Sequence, residues 1–187
     1  LEAIKIANDK ERLAQLDVRI DHKTDYLKIE THYGDWKNGN PNWNCNSNCR
    51  MEVQYKLMVP RNALLDEIET VNGSVSISNT TNVTNASAVN GSVKATNLRG
   101  AARIETVNGT SEVDFESLNA DAKIALSTVN GRINLLIPSD SDATIKADSL
   151  NGTISNDFGL PVRKGKYVGR DLYGKVGDGK VKINLES

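Results

Sequence analysis

An apolar-Asn-Gly triplet recurs five times, and no other feature constrains the fold of this chain so strongly. The copies are Val71-Asn72-Gly73, Val89-Asn90-Gly91, Val107-Asn108-Gly109, Val129-Asn130-Gly131 and Leu150-Asn151-Gly152. Their glycines stand 18, 18, 22 and 21 residues apart. A fixed period near twenty residues is the mark of a solenoid, in which each repeat buries its apolar face only against its neighbours. The flanks repeat too. Five residues before each glycine lie Ile68, Ala86, Ile104, Leu126 and Ala147, and three before lie the small residues Thr70, Ala88, Thr106, Thr128 and Ser149. After the glycine, apolar and polar residues alternate, as in Val75-Ser76-Ile77 and Val93-Lys94-Ala95. Period two places one set inward and the other outward on a strand.

Asn-Gly between alternating apolar residues is also the strongest short-range signal for a tight hairpin, and five hairpins would give an antiparallel meander. A meander needs an equally regular turn between successive Asn-Gly sites. The intervening stretches Asn79-Thr80-Thr81-Asn82 and Asn97-Leu98-Arg99-Gly100 are polar but irregular. The pattern therefore predicts an all-β, single-domain, right-handed parallel β-helix over residues 1–187, with coils of roughly 18–22 residues. Extra residues in the longer coils are expected at a variable corner near 117–121 and 139–142. Asn tolerates the left-handed backbone region and Gly takes it freely, which explains the pair at a corner. Stacked in register, Asn72, Asn90, Asn108, Asn130 and Asn151 are expected to form a buried amide ladder, each both donating and accepting.

Composition agrees with a slim solenoid. Only 38 % of the 187 residues are hydrophobic and 5 % aromatic, little for a compact globule of one domain. Lys and Arg number 23 against 24 Asp and Glu, so no basic excess points to nucleic acid. No stretch approaches 18 consecutive apolar residues, so no transmembrane segment is expected. No signal peptide is visible. The chain opens on Leu1-Glu2-Ala3-Ile4 without an initiator Met and reads as trimmed, so a missing signal says nothing of a precursor.

Residues 1–60 lack the triplet but still read as N-terminal coils, with strands at 4–6, 16–21, 26–32 and 51–59 and a short helix at 9–16. Residues 61–159 hold the regular repeats, and 160–187 form a C-terminal coil or cap. Between 33 and 50 runs an Asn- and Gly-rich loop with Trp36, Trp43, Cys45 and Cys49. No further Cys or nearby His completes a four-ligand zinc site. A Cys45–Cys49 disulfide is the expected state and implies an oxidising compartment; two free surface thiols are the alternative.

This loop is the candidate ligand site. Trp36 and Trp43 could stack on sugar rings and the amides of Asn42 and Asn44 could bind hydroxyls, whereas the competing reading makes the tryptophans a cap for the solenoid. His22 and His32, with Asp21, Asp25 and Asp35 nearby, match no metal-ligand spacing and read as solvated edge residues. Asp114 and Glu116 lie two apart on one strand. They could serve a polysaccharide-cleaving enzyme only if placed across a cleft, and otherwise form a solvated face. Gly174 to Gly179 with Asp178 is read as a turn. The sequons at Asn72, Asn79, Asn82 and Asn85 are read as corner chemistry rather than glycosylation.

The strand ending in Val59-Pro60, the runs Ile68-Glu69-Thr70-Val71-Asn72-Gly73-Ser74-Val75 and Ile104-Glu105-Thr106-Val107-Asn108-Gly109, and the closing Gly177-Asp178-Gly179-Lys180-Val181-Lys182-Ile183 are together distinctive. In these the chain resembles a bacterial adhesin family, a domain of unknown function with a parallel β-helix fold. The resemblance covers most of the chain and implies the fold, with Gly177–Ile183 in the last coil. It implies no catalytic residues, and the cysteine loop is no part of the family's pattern. The expectation is a non-enzymatic β-helix module, bacterial and extracytoplasmic (periplasmic, cell-surface or secreted). It would need no cofactor or metal and would bind a glycan or surface protein or act as scaffold. The rivals are a carbohydrate-active enzyme on the same fold and a self-assembling structural module.

Overall fold

A computed structural model describes residues 1–34 and 50–187. The chain divides into two compact units, Leu1–Val59 and Pro60–Ser187. The first corrects the expectation of a single β-helix domain, because its strands are antiparallel pairs and not solenoid coils. Strand β1 (Glu2–Ala7) pairs antiparallel with β4 (Met51–Lys56), and β2 (Leu16–His22) pairs antiparallel with β3 (Leu27–Tyr33). Helix α1 (Lys10–Gln15) lies between β1 and β2. Asp9 caps it by accepting from the Arg12 backbone N–H at 2.8 Å, which satisfies one of the otherwise unpartnered donors of the first turn.

The second unit is a parallel β-solenoid. Its first coil holds β5 (Leu64–Leu65), β6 (Ile68–Asn72) and β7 (Val75–Ser78). The second holds β8 (Asn82–Asn90) and β9 (Val93–Arg99). The third and fourth are the long strands β10 (Ala102–Ser117) and β11 (Lys123–Leu136), which run through the Asn-Gly corner without a break. Pairing is parallel and in register at the repeat: Asn72 with Asn90, Asn90 with Asn108, Asn108 with Asn130.

Alternation decides what is inside. In β10, Ala102, Ile104, Thr106, Ser111, Val113 and Phe115 are buried, with Arg103 and Glu112 exposed between them. Register then stacks like on like: Ile68, Ala86, Ile104 and Leu126 form one inward row across four coils. Burying a side chain such as Ile104 stabilises by about 1.5–3 kcal/mol, so a one-residue slip, which would turn the whole row outward, is excluded.

The sequential order stops after β11. Strand β12 (Ala143–Ser149) does not lie on β11. The C-terminal strand β15 (Val181–Glu186) stands between them, parallel to both. Leu185 thereby enters the inward row between Leu126 and Ala147. Strand β14 (Arg170–Val176) then adds antiparallel to the other side of β12, and β13 (Val162–Lys164) antiparallel to β14. The C-terminal segment is thus no final coil. It is a strand wedged inside the sheet and an antiparallel hairpin that closes it. Gly177 and Gly179 take positive φ (57° and 74°) in the turn that reverses the chain between β14 and β15. Asp178 donates its backbone N–H there to Asp142 at 2.9 Å.

Candidate functional site

The ligand residues expected from the sequence, Trp36, Asn42, Trp43 and Asn44, lie outside the described residues, as do Cys45 and Cys49. Among the described residues, the most ordered arrangement of chemistry is the Asn-Gly corner.

Three amide hydrogen bonds climb it. Asn90 donates to Asn72 at 3.0 Å, Asn108 to Asn90 at 2.9 Å and Asn130 to Asn108 at 3.2 Å. The four side chains are exposed rather than buried, so the column is a surface feature. Asn151 does not join it, because β15 separates its strand from β11. Gly73 has the positive φ (149°) expected of a corner glycine, but the next three serve another purpose. Gly91, Gly109 and Gly131 are not in the left-handed region. A Cβ on Gly91 would land on the carbonyl oxygen of Gly73, one on Gly109 on that of Gly91, and one on Gly131 on that of Gly109. Glycine is required because successive coils touch backbone to backbone. At Gly152 the nearest atom is only the Ser149 side chain.

The left-handed asparagines sit at a different corner. Asn79 (φ 56°) and Asn97 (φ 54°) take that conformation, and Asn97 donates to Asn79 at 3.1 Å. Their sequence surroundings are irregular, and the one signal that marks this second amide pair is the same 18-residue spacing.

Beside the ladder runs a column of apolar side chains turned to solvent. Val71 and Val129 are 63 % and 68 % exposed, and Val89 and Val107 are exposed as well. They precede the ladder asparagines and share their register. Just inside the corner, the small buried Thr106 lies 3.4 Å from Ser111 hydroxyl to hydroxyl.

Glu116 is held by two guanidinium groups, Arg61 at 2.7 Å and Arg99 at 2.7 Å. The hydrogen bond from Arg99, with the charges of Arg99 and Arg61, holds its carboxyl below the ordinary range against a smaller opposing effect of desolvation. Glu116 is the hub of this ion-pair network. Asp114, facing outward from the same strand, is not part of that network. His22 lies opposite Leu27 and His32 opposite Asp17, at the two ends of one hairpin, so the fold does not bring the histidines together.

Comparison of the chain with protein-family models, with curated proteins and with solved structures finds no match. Fold and corner define its class: a parallel β-solenoid with an amide-laddered, valine-lined edge.

Proposed function

We propose that this chain is a non-enzymatic β-solenoid binding module of the bacterial cell envelope or exterior, serving adhesion or scaffolding. One observation carries the reading. Four valines are held in register on the outside of the solenoid, alongside a column of four hydrogen-bonded amides. The core does not need these methyl groups, and an aligned apolar strip rimmed by polar groups is the mark of a contact surface. The partner would be a glycan or a surface protein, because both present repeating apolar and hydrogen-bonding groups to a rigid, preorganised edge. The two cysteines of the Asn-rich loop favour an oxidising compartment.

A glycan and matrix-protein array tests this. Wild-type protein should bind at least one class of target, and a Val89→Ser/Val107→Ser variant should lose it while keeping its melting temperature. Equal binding by the variant would remove the corner from the account. A second reading has its own support. The outer half of β11, residues 128–136, has a paired strand on one side only among the described residues, and open edges template self-association. Concentration-dependent growth in molar mass by light scattering would favour that structural role.

A further inference from the structure

The antiparallel hairpin β13–β14 carries a charge arrangement that the fold does not explain. Between Arg163 and Arg170 lie four cations, Arg163, Lys164, Lys166 and Arg170, and no carboxylate. None of the four has an ion-pair partner among the described residues. Lys164 and Arg170 are directly opposite each other in the ladder. Side chains directly opposite in an antiparallel pair share a face, and like charges there repel. That face continues the buried side of β12 and β14, where Ser149 lies opposite Arg170 and Leu172 is buried, out to the exposed edge strand β13 that carries Lys164. Arg163 lies opposite Asp171 on the other face, where a counter-charge is at hand.

The two uncompensated cations line an open cleft of about 370 Å³, bounded on its far side by the corner Leu150-Asn151-Gly152. Tyr167, at the tip of the hairpin and in the cleft wall, is 85 % exposed. The Lys166 ammonium lies 5.3 Å from its ring centroid. An exposed aromatic ring flanked by the Lys166 ammonium, two unpaired cations on one face and the amide of Asn151 form a set suited to a ring-shaped, hydroxylated anion. The ring packs on Tyr167, the amide meets a hydroxyl, and the acid group relieves the repulsion between Lys164 and Arg170.

We propose that the cleft between the Leu150–Gly152 corner and the β13–β14 loop binds an acidic saccharide, its carboxylate or sulfate held by Lys164 and Arg170 and its ring against Tyr167. These observations are independent of the valine column. The site can therefore stand or fall apart from it.

The test is calorimetric titration of the full chain with a galacturonate tetrasaccharide, a sulfated heparin tetrasaccharide, neutral maltotetraose and a ten-nucleotide oligothymidylate. At least one acidic saccharide should bind, and maltotetraose at least tenfold more weakly. Lys164→Gln/Arg170→Gln should weaken the acidic saccharide at least tenfold, and Tyr167→Ala severalfold. If the double variant loses its fold by circular dichroism, Lys164→Gln alone, at an exposed position, replaces it. Absence of binding to both acidic saccharides overturns the proposal, as does binding unchanged in the variants. Oligothymidylate binding tighter than either saccharide would overturn it in favour of a nucleic-acid surface.

Discussion

Two stretches of the solenoid carry the same triplet and treat it differently. From Ile68 to Leu136 each Asn-Gly corner rests on the one before it, glycine against glycine, amide bonded to amide. At Leu150-Asn151-Gly152 the Asn-Gly pair is the same, but the C-terminal strand has entered between the coils and neither contact forms. A repeat motif is therefore structural only where its copies are stacked. Where stacking ends, the same residues become ordinary loop, free to border a cleft.

The largest expected difference between the two stretches lies in the glycines. Gly109→Ala forces a methyl onto the backbone of the neighbouring coil and should cost about 3 kcal/mol. Gly152→Ala meets only a movable serine side chain and should cost under about 1 kcal/mol. Paired urea melts measure both, and equal losses would break the comparison. The ladder amides come next. Asn108→Ala removes two hydrogen bonds and should cost about 1–2 kcal/mol, discounted for exposure, whereas Asn151→Ala should be within about 0.5 kcal/mol of wild type.

The smallest effect is electrostatic and belongs to the regular stack. The folded Glu116 carboxyl is held below its ordinary range by Arg99 and Arg61. It returns to about 4.3 in the unfolded chain. Its contribution is thus present at neutral pH, and is lost as the pH falls below about 4.3 and through the lower folded value. Wild type should melt slightly above Glu116→Gln at pH 7, with the gap closing in acid; a gap that widened in acid would contradict the ion-pair assignment.

Much of the stack is legible in the letters. Ile68, Ala86, Ile104 and Leu126 can be placed on one inward row from their distance to the glycine, and the row is there. The period also gives Asn72 to Asn130 as a register column. Four things are not legible. The reason for glycine is a contact between coils, which no single repeat contains. The wedge is invisible because Val181-Lys182-Ile183-Asn184-Leu185 alternates like any inner strand, and alternation tells which face is buried but not which strand lies next. For the same reason Met51–Lys56 reads equally well as a coil of the solenoid and as the antiparallel partner of Glu2–Ala7. The cleft at Tyr167 escapes because its cations converge only through the ladder pairing of Lys164 with Arg170.

Disulfide trapping at the wedge tests the central claim most directly. Ala125, Asn184 and Lys146 occupy successive strands in that order, and neighbouring strands lie about 4.8 Å apart, within the range a disulfide spans. In a Cys45→Ser/Cys49→Ser background, the Ala125→Cys/Asn184→Cys pair should cross-link on oxidation, and Ala125→Cys/Lys146→Cys, two strands apart, should not. Cross-linking of the second pair instead of the first would put the fifth repeat directly on the fourth and contradict the account.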